Sequence, residues 1–454
     1  MGVLSRPLQG VIVAEAVTST QPPHVVNRWM QLIAAIIAML AISNLQYAWT
    51  VFTGPLRAAL HASLPEIQVA FSTFILAETW LVPLEGWLID RLGPRLMLVL
   101  GGILVGVGWV GAGHATTVTG LIIAYTIGGI GAGAVYGGAV GNALKWFPDH
   151  RGLCVGLTAG AYGIGTAITV LPITHMIRSS GYAHTLVVWG VIQGVVVVLM
   201  ALMLAKPPAG WLPEGWNEKE KQQKIKVRMS PIDMKPGQML RTGSFYVIYF
   251  MMGLVAFGGL VVTAQIAPIA RAYHVANVRV LWGITALVLA IQLGRITNGL
   301  TRPFFGWVSD HIGRENTMFI AFTAEALAVF GLLHLISHPV HFIVLSGLVF
   351  FAWGEIFSLF PSIVGDLFGR QWATTNYGIT YTSKGVAAIF AGPVAALASV
   401  ETGSWVGVFW AMIGCDLLAA FLALFWLKPV AGRTIARAEQ MAAAEAAKPT
   451  LRAA

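Results

Sequence analysis

Charge is what this 454-residue chain has least of. Lys, Arg, Asp and Glu make up 10% of it against 57% hydrophobic residues, and the mean hydropathy is +0.74. Soluble domains carry roughly a quarter charged residues, so an ordinary soluble protein is excluded. Cysteine is nearly absent as well. Cys154 and Cys415 stand far apart, which leaves no disulfide framework and no cysteine metal spacing. The sequence has no G-x-x-x-x-G-K-[ST] loop, no H-E-x-x-H and no G-x-S-x-G, and its histidines are scattered. No enzyme, cofactor or metal is therefore expected. The net charge of +9 would suggest nucleic acid in a soluble protein. Here the cations fall mostly in connections and tails, as membrane topology requires, and no nucleic-acid partner is expected. Residues 1–28 lack the charged start, apolar stretch and cleavage site of a secretory signal, so the first apolar helix is expected to direct insertion.

What is present is a succession of apolar stretches. A helix needs about 20 residues to cross a roughly 30 Å hydrocarbon core. Such stretches fall near 29–55, 66–88, 95–113, 118–142, 152–176 and 183–205, then near 243–270, 279–308, 316–336, 340–363, 374–399 and 404–428. This predicts an all-α membrane protein of twelve transmembrane helices, with the lipid bilayer as its solvent. It divides into a tail (1–28), a six-helix half (29–205), a polar linker (206–241), a second six-helix half (242–428) and a tail (429–454). The tails and even-numbered connections hold 21 Lys and Arg, the opposite side holds 4, and Arg295, Arg302 and Lys384 lie within spans. That asymmetry predicts two cytoplasmic termini.

The halves repeat. "PLEGWLIDRLGPR" (83–95) matches "RPFFGWVSDHIGR" (302–314). Pro83, Gly86, Trp87, Asp90 and Gly93 recur as Pro303, Gly306, Trp307, Asp310 and Gly313, each shifted by 220. Two six-helix halves in parallel repeat suggest a transporter with its site between them near the midplane. The doubled loop resembles the signature of the major facilitator superfamily. That resemblance implies that Asp90, with Arg91 and Arg95, and the second copy, Asp310 with Arg314, help hold one side shut. Glycine recurs every four residues at Gly129, Gly133, Gly137 and Gly141, and again at Gly152, Gly156 and Gly160. Each stripe lets helices approach closely.

The three cations within spans carry the chemistry. A charge near the bilayer centre costs about 2.5–3.5 kcal/mol on insertion scales and marks a functional site by default. Arg302 lies roughly 12 Å from the edge of its span and Lys384 roughly 15–18 Å deep. Neither has an acid three or four residues away on its own helix. Together they would attract an anion, Arg as a fork and Lys as a point charge. The alternative is that they pair with acids on other spans, from among Glu78, Glu85, Glu325, Glu355 and Asp416. Arg295, seven residues before Arg302, either attracts substrate or pairs with Glu355 or another acid. Tyr47, Tyr136, Tyr162, Trp353, Phe357 and Tyr381 also fall within spans, away from the interfaces. Opposite two cations they would wall a small pocket.

"NLQYAWTVF" (44–52), "VYGGAVGNALKWFPDHRG" (135–152), "AGAYGIG" (159–165), "NGLTRPFFGWVSDHIGR" (298–314), "FAWGEIFSLFPSIVGDLFG" (351–369) and "NYGITYTSKG" (376–385) resemble the oxalate/formate antiporter family. The resemblance implies exchange of oxalate for formate across a bacterial inner membrane. Its pocket cations match Arg302 and Lys384, and its aromatic walls match Tyr47, Tyr136, Tyr162 and Trp353. Phe357 and Tyr381 take further wall positions. Arg295, Glu78, Glu85 and Glu355 are extra charges relative to the founding antiporter, and Arg295, Glu78 and Glu355 are candidate coupling or charge partners. Two cations can grip the two ends of oxalate, and a functional monomer is expected. The rival reading is a proton-coupled monocarboxylate symporter of the lactate or pyruvate type, with Glu355 or Glu78 carrying the proton.

Overall fold

A computed structural model describes residues 27–147, 151–208, 213, 229–369 and 371–446. The N-terminal half holds α1 (Arg28–Tyr47), α2 (Trp49–Leu60), α3 (Leu64–Trp80), α4 (Val82–Leu92), α5 (Pro94–Gly113), α6 (Val118–Trp146) and α7 (Arg151–Met203). A short helix, α8 (Pro236–Met239), precedes the C-terminal half. That half holds α9 (Gly243–Ala272), α10 (Ala286–Ile312), α11 (Arg314–Leu335), α12 (Pro339–Trp353), α13 (Ile356–Phe368) and α14 (Ala373–Ile389). After a π-turn at Phe390–Val394 come α15 (Ala395–Thr402), α16 (Val406–Leu422), a second π-turn at Ala423–Leu427, and α17 (Lys428–Ala446). Several starts follow from local chemistry. Asn27 and Thr117 accept backbone N–H groups at the heads of α1 and α6, and Ser63 with Glu66 forms a capping box at the head of α3.

Among the described residues, nine helical stretches are long and apolar enough to cross a membrane. The pair Leu64–Trp80 and Val82–Ile89, bent by 44°, makes a tenth. One of the nine, Leu153–Met203, runs 51 residues, which at about 1.5 Å per residue is more than twice the hydrocarbon thickness. It breaks at Gly181, where φ is 83°, and so is two helices. α10 has the length, at 27 residues, but Arg295 and Arg302 lower its apolar character. The helices cover the stretches that the sequence marks as apolar. Their outer faces carry exposed side chains such as Ile168, Leu327 and Phe425, which water would penalise and lipid accepts.

Three boundaries differ from expectation. The span predicted to begin at 279 begins as a helix only at Ala286, because β1 (Arg279–Leu281) and β2 (Ile284–Thr285) form an antiparallel hairpin there. Its turn places Trp282 and Gly283 at φ 50° and 74°, the left-handed pair that favours two-residue hairpins. The final helix does not end at the membrane but continues as α17 through Ala446. The last part of the linker is held against the C-terminal half, with Ser230 N and Met234 N donating to the carbonyls of Asp366 and Phe368, both at 2.8 Å.

The repeat is visible in backbone geometry. Gly93 and Gly313 have φ/ψ of 87°/160° and 90°/157°, a region essentially restricted to glycine. Each turns the chain between two helices. At Gly93 an added Cβ would meet nothing within 4 Å, so the requirement lies in the backbone alone. Gly93→Ala is expected to destabilise the protein by about 1–3 kcal/mol, read as a lower unfolding temperature in detergent.

The halves meet along two helix pairs. α7 lies against α10, where an added Cβ on Gly160 would come within 3.2 Å of the Gly299 carbonyl. α3 lies against α14 and its π-turn. A polar seam also joins the halves. Trp49 Nε1 donates to Gln68 Oε1 (2.9 Å), Gln68 Nε2 to Gln265 Oε1 (2.9 Å), and Gln265 Nε2 to the Gly392 carbonyl (2.9 Å). The two glycine stripes divide their work. Gly129 and Gly133 lie against Phe74 and Glu78 within one half, whereas Gly160 faces the other half.

Candidate functional site

Four helices break near the midplane, three of them beside a residue singled out in the sequence. α1 gives way to α2 at Ala48, next to Tyr47. α3 bends into α4 at Leu81, just past Glu78, where Pro83 near the start of α4 cannot supply an N–H to the preceding turn. α12 stops at Trp353 and α13 resumes at Ile356. Gly354 in that gap is required by close approach, because an added Cβ would lie 2.8 Å from the Asn298 carbonyl of α10. α14 loosens into its π-turn at Phe390. Broken helices at midplane depth are tolerated where they line an internal cavity.

All eight predicted pocket residues converge there. Tyr47 and Tyr162 have ring centroids 5.3 Å apart, Tyr162 and Tyr136 5.5 Å, and Tyr136 stacks on Tyr381 at 6.2 Å. Tyr381 meets Phe357 at 6.2 Å, and Phe357 meets Trp353 at 5.3 Å. The chain of rings draws on α1, α6, α7, α12, α13 and α14, and therefore on both halves. Arg302 Cζ lies 4.3 Å from the Phe357 centroid and Lys384 Nζ 5.5 Å from the same ring.

The two cations differ in their partners. Lys384 is not a free cation. Its Nζ donates to Glu78 Oε2 (3.0 Å), Gln46 Oε1 (3.1 Å) and Tyr381 Oη (3.0 Å), which uses all three ammonium donors. The Lys384–Glu78 pair is fully buried and joins α14 of one half to α3 of the other. Tyr162 Oη lies 2.9 Å from both Glu78 Oε1 and Gln46 Oε1, so its one proton is donated to either of them. Of the acids open as partners in the sequence, Glu78 is thus the one that meets Lys384. Arg302 has no carboxylate in its hydrogen-bond shell among the described residues. Its Nη2 donates to Asn298 Oδ1 at 3.2 Å, its Nη1 donates to the Ala159 carbonyl of the opposite half, and its Nε has no partner.

Arg295 does not pair with Glu355. Its guanidinium lies between two rings, 4.2 Å from the centroid of Tyr47 and 3.7 Å from that of Phe350. Its Nε and Nη1 have no hydrogen-bond partner among the described residues, and neither do the carboxylate oxygens of Glu355. Gln46 and Asn298 are site residues that sequence reasoning passed over. The available signal was an amide side chain inside an apolar span, one beside Tyr47 and one four residues before Arg302.

The signature loops lie apart from this pocket. The Asp90 side chain falls outside the described residues. Arg91 lies over Trp87, 4.1 Å from its centroid, and Arg95 Nε donates to the Leu204 carbonyl at 3.0 Å. Arg314 joins Asp310 (2.7 Å) and Asp366 (3.0 Å), tying α10, α11 and α13 together within the C-terminal half.

The Major Facilitator Superfamily model matches residues 32–392 and 248–453. The chain is 34% identical to the oxalate:formate antiporter of Oxalobacter formigenes over 423 residues, which are 93% of this chain and 96% of that protein. It is 26% identical to the uncharacterized MFS-type transporter YhjX of Escherichia coli (strain K12), over 80% of this chain and 86% of that one. To monocarboxylate transporter 14 of Mus musculus it is 22% identical, over 81% and 83%. The chain therefore belongs to the major facilitator superfamily, in the oxalate/formate antiporter family, and is a multi-pass membrane transporter rather than an enzyme.

Proposed function

We propose that this chain is a secondary transporter of small carboxylates that exchanges oxalate for formate by alternating access. The observation that carries the reading is the charge balance of the pocket. Arg302 and Lys384 lie among the aromatic rings, and the one carboxylate bonded to either among the described residues is Glu78, on Lys384. An excess of cations in a low-dielectric cavity resists closing around nothing and accepts an anion. Oxalate bound by Arg302 and Lys384 would take over part of the role of Glu78. The rings from both halves would then close over it, and the halves would rock about the α7–α10 and α3–α14 contacts.

The same reading places residues 29–205 and 242–428 as the moving halves, 206–241 as the linker, and 1–28 and 429–454 as tails. It puts the protein in a bacterial inner membrane as a functional monomer, with both termini cytoplasmic on the strength of the Lys and Arg asymmetry. The loops of Asp90, Arg91 and Arg95, and of Asp310 and Arg314, would hold the cytoplasmic side shut in one state.

One observation favours proton-coupled monocarboxylate symport as a second reading. Glu78 can neutralise Lys384 without substrate, and Glu325, Glu355 and Asp416 are buried with no hydrogen-bond partner for their carboxyl oxygens among the described residues. Labelled oxalate uptake into liposomes separates the two. Uptake that needs internal oxalate or formate is the expected result. Uptake into empty vesicles driven by an inward proton gradient would favour the symporter.

A further inference from the structure

We infer that Arg295, Asn298 and Tyr47 form a second carboxylate subsite beside Arg302, so that the substrates include dicarboxylates with a carbon spacer between their two ends. The inference rests on the anion-transport reading and names which residues hold the anion's second end.

Lys384 already has its three donors on three acceptors, one of them a carboxylate. Besides Gln46 Nε2 and Trp353 Nε1, the free donors of the site lie along one face of α10 and on the ring against it. Arg295 Nε and Nη1, Asn298 Nδ2, Arg302 Nε and Tyr47 Oη have no hydrogen-bond partner among the described residues. Their residues are 2%, 0%, 1% and 1% exposed. Positions 295, 298 and 302 are spaced three and four apart, and so share one face of α10. Tyr47 from α1 lies against that face, beneath the Arg295 guanidinium. Every group in this set can donate, and two of them are cationic. Buried donors of this kind are normally satisfied, and a ligand rich in acceptor oxygens and negative charge satisfies all of them.

The spacing selects the ligand. Seven residues of helix separate the backbones of Arg295 and Arg302 by about 10 Å. The two carboxylate carbons of oxalate are bonded directly to each other and span little of that separation. A dianion with one or more intervening carbons spans more of it, with one carboxylate on Arg302 and Asn298 and the other on Arg295. Oxalate would use Arg302 and Lys384, and longer dicarboxylates would use Arg302 and Arg295. Arg295 would then set the substrate range without being needed for oxalate.

The test uses the full chain in liposomes loaded with oxalate. Labelled oxalate uptake is measured against external malonate, succinate and glutarate, for wild type, Arg295→Gln and Arg295→Lys. At least one of the three should inhibit wild type. Arg295→Gln should raise the half-inhibitory concentration of that dianion by about tenfold or more, while the half-saturating oxalate concentration changes far less. Arg295→Lys, which keeps the charge and loses the fork, should fall between. An equal loss for oxalate and the longer dianion, or no inhibition of wild type by any of the three, would overturn the subsite. The stabilisation of the detergent-solubilised protein against heating by each of the three dianions is read separately, and the one that stabilises most is compared between variants. Stabilisation should be present in wild type and reduced in Arg295→Gln. That result decides the subsite even if no anion is transported, in which case the transport reading alone fails.

Discussion

Lys384→Gln should destabilise the protein by about 3–5 kcal/mol, because it leaves Glu78 buried without its counter-charge. Glu78→Gln should cost a similar amount by stranding the ammonium. The double variant should recover most of the loss, since a pair of neutral amides leaves no uncompensated charge at that place. Unfolding temperatures of the four proteins in detergent form the cycle that measures this coupling. Transport should follow a different pattern. Lys384→Gln and the double variant should both lose oxalate exchange, because each lacks the cation that would meet the substrate. A stable but inactive double variant would separate the structural role of the pair from its transport role. Single variants as stable as wild type would mean that the Lys384–Glu78 contact at 3.0 Å contributes no net stability.

Arg302→Gln should reduce oxalate exchange by at least about 30-fold, corresponding to loss of roughly 2 kcal/mol or more at a buried charged contact. Its effect on stability should be the smaller one. The hydrogen-bond acceptors of Arg302 are the Ala159 carbonyl and Asn298 Oδ1, both neutral, so no opposite charge is stranded when the guanidinium goes. Initial rates of labelled oxalate uptake into oxalate-loaded liposomes, normalised to reconstituted protein, measure the first effect, and thermal unfolding measures the second. Arg302→Lys should recover little, because the ammonium supplies a point charge where the site presents a planar fork stacked over Phe357 at 4.3 Å. Exchange near the wild-type rate in Arg302→Gln would remove Arg302 from the site.

These two cations show how structure revises a sequence reading. Both look alike in sequence: a basic residue inside an apolar span, with no acid within one turn of its own helix. Depth follows from counting residues, because helix rise is fixed. Partnership does not. Glu78 lies 306 positions from Lys384, and no local spacing rule reaches that far. Arg302, on α10, meets a carbonyl and an amide instead. Arg295 was open to pairing with Glu355, yet the structure places it between Tyr47 and Phe350.

The sequence by itself determined the solvent, the approximate positions of the crossings, the repeat and the family. Each rests on short-range regularities: apolar runs long enough to span lipid, a motif recurring at a shift of 220, and glycines at turns where φ reaches 87° and 90°. It also picked out the six rings and two cations that the fold brings together, because polar and aromatic groups inside apolar spans are costly or conspicuous. Only the tertiary structure decided which charges neutralise which, where helices break at the midplane, and which donors are left over. Those outcomes depend on how helices from two halves of the chain approach one another. Whether a buried cation is spent or free is set by the groups that packing brings within about 3 Å of it.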